Sequence, residues 1–205
     1  MGDEIPFRIG LVALSALAPF IQVYFGRKAR PHQGAYTSVK RDSFRREGRL
    51  NFVVHAALVF AMGIVVALYA AYPPSVAWSH VAIPDAWRWA GLGFGIVSLL
   101  ALIKVHRQLG RFWSAYLELQ EGHQLITTGV YRRIRHPMYS VLFFFLLAAA
   151  VMSANWLFMV LCAGRMLMFF ERIRREEGML IGQFGDEYRR YQQRTGRLLP
   201  RLRAG

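Results

Sequence analysis

The stretch "RRIRHPMYSVLFFFLLAAAVMSANW", residues 132–156, sets three arginines and a histidine against a proline, then runs through apolar residues to a polar break. A residue before proline is pushed away from the helical region, and proline itself suits the first helical position. The spacing therefore predicts a helix that begins at Pro137, with His136 as its extended lead-in. The apolar run continues to Phe170, 33 residues from Met138, and is interrupted at Met152–Asn155. At about 1.5 Å per residue this is roughly 50 Å, short of two full crossings of a ~30 Å hydrocarbon core. It reads as a helical hairpin of two short or partly inserted helices.

Working outward, residues 5–25, 50–72 and 87–105 are each long and apolar enough, or nearly so, to span a bilayer. Of the 205 residues 55% are hydrophobic, and mean hydropathy is +0.25. A soluble chain of this size could not hide so much apolar surface. The fold class is therefore all-α integral membrane, with about five transmembrane helices, the last two forming the hairpin, and a cytoplasmic C-terminal helical segment. A net charge of +14 would ordinarily suggest nucleic acid. Here the apolar segments divide the basic residues into blocks that act as topology signals. The 26–49 loop carries eight Lys and Arg, the 73–85 connection none, and the stretches 106–136 and 171–205 are again rich in arginine. Because cytoplasmic loops are enriched in Lys and Arg, the N-terminus is expected outside and the C-terminus inside. Trp78, Trp87 and Trp89 then flank the outer end.

The opening "MGDEIPFRIG" lacks a basic n-region and a cleavage site, and lacks the Ser or Thr that myristoylation needs, so the first apolar segment is expected to remain. The single cysteine, Cys162, lies within an apolar run and reads as a small buried hydrophobe. Two regions are expected: 1–105, three membrane helices with the basic loop, and 106–205, which holds most of the polar detail.

Chemistry is sought on the cytoplasmic side. The free N–H groups of a first helical turn at Pro137 attract anions, and Arg132, Arg133 and Arg135 add positive potential. His136 and Tyr139 add directed hydrogen-bonding groups. Considered alone, this cluster reads more readily as a positive-inside membrane anchor. The second polar group is "FFERIRREEGMLIGQFGDEYRRYQQR", residues 169–194, in which Arg172 and Glu176 lie four apart on one helix face. They suit either a surface ion pair or a site at the membrane boundary. A break at Gly182/Gly185 precedes a short amphipathic helix with Asp186, Glu187, Tyr188 and Tyr191. His55, Met62 and Arg165, inside apolar segments, read as packing or snorkelling residues, although an intramembrane arginine also suggests function. His32, His80 and His106 show no metal-ligand spacing, and no metal site is expected.

The ordered set "LGRFWS" (109–114), "EGHQLITTGVYRRIRHPMY" (121–139), an apolar hairpin, "RIRREEGMLIGQFGDEYRRY" (172–191) and "RLLP" (197–200) resembles the isoprenylcysteine carboxyl methyltransferase family, within the wider phospholipid methyltransferase superfamily. The resemblance covers the last hundred residues closely and the first hundred by hydropathy alone. It implies an integral-membrane enzyme that uses S-adenosylmethionine, consistent with the lack of a Gly-rich dinucleotide fingerprint. By matched position the cofactor would be held by His123, Gln124, Leu125, Ile126, Tyr131, His136, Pro137, Met138, Tyr139 and Glu176. Arg172 falls where the family contacts the acceptor, so Arg172 and Glu176 are the expected catalytic pair. Two positions depart from the family pattern. Ser140 and Val141 follow the tyrosine where relatives often have a glycine second after it, and Tyr116 stands in place of a glutamine.

The expected activity is methyl transfer to a lipophilic acceptor, with a carboxylate favoured. Phospholipid N-methylation is the alternative. A sterol-reductase-like NADPH enzyme fits less well because the chain is small, and a non-catalytic membrane adaptor because the polar motifs are so ordered. The expected partners are a lipophilic or lipid-modified acceptor and membrane lipid, not nucleic acid.

Overall fold

The computed structural model describes residues 4–29, 48–110 and 124–201. Among these residues the α-helices are α1 (Ile5–Ala29), α2 (Arg49–Ala71), α3 (Asp85–Leu109), α4 (Pro137–Ser153), α5 (Trp156–Phe184) and α6 (Asp186–Arg194). Pro73–Ser79 and Gly129–Arg132 form 3₁₀ turns, and the extended pairings are two isolated bridges. Helices α1 to α3 are long and apolar enough to cross a membrane, and α4 is a shorter apolar helix. The chain is an integral membrane protein built of several apolar helices.

Helices α4 and α5 meet where the sequence breaks. Helix α4 begins at Pro137 behind an extended His136 and ends at Ser153. Ala154 then turns left-handed (φ 47°, ψ 38°), a conformation costing roughly 1–2 kcal/mol in a residue with a Cβ. Its carbonyl accepts from Val81 N at 2.8 Å. Asn155 caps α5: its Oδ1 accepts from Phe158 N at 2.9 Å, and its Nδ2 donates to Ser79 Oγ at 2.6 Å. These contacts seat the turn between α4 and α5 on the 73–85 connection. Trp78 packs edge-on against Trp156 there, and Trp78, Trp87 and Trp89 are all exposed, as interface aromatics should be.

Close approach of α3 to its neighbours depends on two glycines one turn apart. A Cβ on Gly91 would lie 2.9 Å from Ala148 O of α4, and one on Gly95 would lie 2.6 Å from Leu14 Cδ1 of α1. Small residues at membrane-helix contacts allow such packing. Helix α5 runs unbroken from the tip through the basic stretch. Gly182 stays inside it, and the break comes at Gly185 (φ 51°), from which α6 starts. Cys162 is buried, as expected.

The tip end is held by a polar clasp. Arg88 is 2% exposed; its Nη1 and Nη2 donate to Glu4 at 2.6 and 2.7 Å, Nη2 also to Tyr69 Oη at 3.1 Å, and Nε to Met152 O at 3.2 Å. One guanidinium thus ties the start of α1 to α2, α3 and α4. The hydrogen bond from Arg88 is the main cause that holds the Glu4 carboxyl at about 2, below its ordinary 4.5, against the opposing effect of burial. A depressed carboxyl contributes stability that is fully present above the ordinary value and lost as pH falls through the folded one. The thermal unfolding temperature in detergent should therefore fall as pH is lowered from 4.5 to 2. Glu4→Ala should cost about 3 kcal/mol by stranding the guanidinium, and Glu4→Ala/Arg88→Met should recover much of that loss. Additive losses in the double variant would show that the clasp is not a unit.

Candidate functional site

The site is built where the start of α4, the basic half of α5 and the segment after α6 meet. The chain at 133–136 pairs with 196–197: Arg135 N donates to Gly196 O at 2.8 Å, His136 N to Arg197 O at 3.0 Å, and Gly196 N to Arg133 O at 3.0 Å. Ser140 Oγ adds a bond to Leu198 O at 2.6 Å. Ser140 thus anchors the "RLLP" segment beneath the helix start.

Glu177 lies at the centre of this stitch and is 4% exposed. It accepts from Arg135 Nε at 3.1 Å and His136 Nε2 at 3.2 Å through one oxygen, and from Arg197 Nη2 at 2.6 Å through the other. Burial alone would raise its carboxyl, but hydrogen bonds from His136, Arg197 and Arg135 outweigh it and hold the group at about 2. Because a carboxylate only accepts, Nε2 of His136 carries the proton, and in the neutral ring Nδ1 is left as an acceptor. Arg135 also bonds to Gln192 O at 3.0 Å and to Thr195 O. It is thus a structural tie, in addition to a source of potential.

The remaining groups form a ladder along one face of α5. From the polar end of the helix inward, Glu176 Oε2 lies 3.9 Å from His136 Nδ1. Tyr139, 5.8 Å from the His136 ring, has Glu176 and Arg172 both at its hydroxyl. Its ring then packs on Phe169 at 5.5 Å. Arg172 and Glu176, four residues apart, therefore face the same tyrosine. Tyr131 is buried behind them; burial and the nearby charge of Glu176 raise its hydroxyl above the ordinary tyrosine range. Tyr191 donates to Tyr131 O at 2.6 Å, linking α6 to this wall.

The expected residues are therefore only partly gathered. Tyr131, His136, Tyr139, Arg172 and Glu176 come together, and Pro137 starts the helix that carries two of them. Met138 packs into the apolar core instead. Leu125 lines an adjoining cleft of about 330 Å³ with Arg132, Glu187, Arg190 and Tyr191, while Ile126 is half-buried and Gln124 exposed. His123 and Tyr116 lie outside the described residues. Sequence reading missed Glu177 and Arg197, and named Tyr188 only as part of the short amphipathic helix. The signal for Glu177 was an acid pair on an arginine-rich helix, which cannot place both carboxylates on the same face.

Chemically, the site offers a carboxylate with aromatic faces for a cation and an arginine for an anion. Its hydroxyls at Ser140 and Thr195 are engaged with backbone carbonyls and are not poised as nucleophiles. The Tyr188 hydroxyl, in a side chain 1% exposed, has no hydrogen-bond partner among the described residues, and the charges of Glu177 and Glu176 are both felt there. An orphaned buried donor at this point fits a site shaped for a bound polar group.

Comparison with known proteins agrees with the ordered motifs. Residues 91–182 match the model of the isoprenylcysteine carboxyl methyltransferase (ICMT) family. The protein-S-isoprenylcysteine O-methyltransferase of Schizosaccharomyces pombe is 33% identical over 119 residues, 57% of this chain and 50% of that protein. Those of Tribolium castaneum and Homo sapiens are each 38% identical over 84 residues, 40% of this chain and 30% of theirs. The chain thus matches half or less of the length of these relatives. A solved structure of the eukaryotic intramembrane Ras methyltransferase ICMT aligns with a TM-score of 0.49 at 25% identity, covering 74% of this chain and 51% of that one. Over residues 91–182, from α3 through the helix that carries Arg172, Glu176 and Glu177, the chain matches the isoprenylcysteine carboxyl methyltransferase family.

Proposed function

We propose that the protein is a membrane-embedded methyltransferase that uses S-adenosylmethionine to methylate a lipophilic acceptor, most simply at a carboxylate. The observation that carries this reading is the placement of Glu176 and Arg172 one turn apart on α5, both facing Tyr139 at the mouth of the apolar hairpin. The bound donor supplies an activated methyl group on a positively charged sulfur. Glu176 and the aromatic faces of Tyr131 and Tyr139 would favour that cation, and the Tyr188 hydroxyl would donate to an oxygen or nitrogen elsewhere on the donor. His136, fixed by Glu177, would present Nδ1 as an acceptor toward the same space, at the start of the helix that Pro137 opens. Arg172 would hold the carboxylate of the acceptor. Alignment and exclusion of water are then the work of the protein, because the donor is already activated.

The names of the relatives specify a lipid-modified cysteine, and an acceptor of that class suits a site between charge and lipid. Phospholipid N-methylation is the second reading. Arg172 disfavours it, since a cationic amine beside a guanidinium is repelled. We further propose five crossings, with the N-terminus outside, the site cytoplasmic, and 106–205 acting as the catalytic region. The seating of the hairpin tip on the 73–85 connection supports the full length of the last two crossings.

Calorimetry on purified protein should show saturable S-adenosylmethionine binding, weakened by about 1–3 kcal/mol in His136→Ala and in Glu176→Ala. Saturable binding of NADPH alone would instead indicate the reductase. Mass spectrometry of lipid extracts incubated with labelled donor should place the label on a lipophilic carboxylate. With that acceptor the rate should be nearly flat from about pH 6 to 8.5, because a carboxyl near 4 is ionised throughout, and Arg172→Ala should impair acceptor use more than donor binding. A rate rising nearly tenfold per pH unit, with label on an amine, would establish N-methylation. Topology is checked with cysteines placed at the exposed Ala77 and Gln193 in a Cys162→Ser background, which should label from opposite sides of a sealed membrane. Same-side labelling would remove the five-crossing arrangement.

A further inference from the structure

The ladder on α5 does not stop at Arg172. Arg165 lies seven residues earlier, two turns along the same face and so about 10 Å deeper in the apolar part of the helix. Its Nη1 lies 2.7 Å from Nε2 of His55 on α2, and its guanidinium sits 5.6 Å from the Phe169 ring. Between α2 and α5, Asn51, His55, Phe169 and Arg172 line a narrow cleft, and the charge of Arg172 is felt at both His55 and Arg165. Among the described residues no carboxylate lies within salt-bridge distance of Arg165, and His55 is its one hydrogen-bond partner.

A guanidinium has five N–H donors in a fixed fork, and one imidazole lone pair satisfies one of them. A cation among apolar helices with most donors unmet is costly and points to a functional partner. These donors are not sealed in the core, because Arg165 is half-exposed and its nitrogens are absent from the buried, unsatisfied atoms. They lie beside His55, which lines the cleft together with Arg172.

We infer that Arg165, oriented by His55, is a specificity-determining residue that selects an acceptor carrying a second hydrogen-bond-accepting oxygen, an ester or amide carbonyl, about 10 Å along its chain from the carboxylate held at Arg172. A plain hydrocarbon chain laid along the same cleft would leave the Arg165 donors unmet, whereas a carbonyl would satisfy them. The inference rests on the carboxylate-acceptor reading above.

The test uses purified protein in phospholipid-free detergent, supplied with S-adenosylmethionine and two long-chain acids of equal length, one plain and one with an ester carbonyl about 10 Å from the carboxylate. The ester acid should have a kcat/KM about tenfold higher, expressed mainly in KM, and Arg165→Leu should bring the ratio close to one. If that variant folds poorly, Arg165→Gln, a neutral donor of lower strength, should give an intermediate ratio. Competition of the two acids for binding to the native protein should show the same preference without turnover. Equal values for both acids in the native protein, or a ratio that Arg165→Leu leaves unchanged, overturns the inference. So does a preference that vanishes when phospholipid is added back, which would assign Arg165 to the oxygens of bulk lipid. If neither acid is methylated the carboxylate reading fails, and the binding competition then decides on Arg165 alone.

Discussion

A single buried carboxylate organises the polar end of this membrane protein. Glu177 accepts from Arg135, His136 and Arg197, and so joins the lead-in to α4, the C-terminal part of α5 and the chain beyond α6. An unpaired carboxylate at that depth would be expensive, and so would three cationic or polar groups crowded together without it. Each therefore requires the others. The backbone pairing of 133–136 with 196–197 follows from the same closure.

That closure sets the geometry of the candidate site. With Nε2 of His136 committed to Glu177, the ring presents its other nitrogen toward Glu176, the neighbouring acid on the same helix. Two adjacent glutamates thus take different parts, because successive residues on a helix diverge by about 100°. Glu177 turns inward to hold the frame, and Glu176 turns toward Tyr139 and Tyr131, where it can meet a ligand. Division of labour between a buried acid and a half-exposed one is how a small site obtains both rigidity and chemistry.

The opposite end of the bundle obeys the same rule with a different residue. There the buried charge is a guanidinium, Arg88, and its partners are Glu4, Tyr69 and a backbone carbonyl of α4. Apolar helices in lipid gain little from burying apolar surface against one another, so directional bonds and close-packed glycines supply much of the specificity of assembly. Arg165, between the two ends, has His55 and a ring face but no carboxylate partner among the described residues.

Much of the fold was legible in the residues alone. Apolar length defined the helices, a proline after His136 set the start of α4, and the polar break at Met152–Asn155 marked the turn between α4 and α5, because these are local effects of backbone geometry and hydropathy. The spacing of Arg172 and Glu176 placed them on one face for the same reason. The ordered motifs also pointed to the family that residues 91–182 match. What the sequence could not determine was which charges meet. Glu177 and Arg197 are 20 residues apart, and Arg135 and Glu177 are 42 apart. Nothing in local periodicity distinguishes a glutamate that turns into a buried arginine cluster from its neighbour that faces a cleft. The separation of Leu125 from the His136 group and the meeting of Arg165 with His55 are likewise products of how α2, α5 and α6 pack. Covalent neighbours dictate the course of each helix, whereas burying a charge depends on partners that only the folded chain brings within reach.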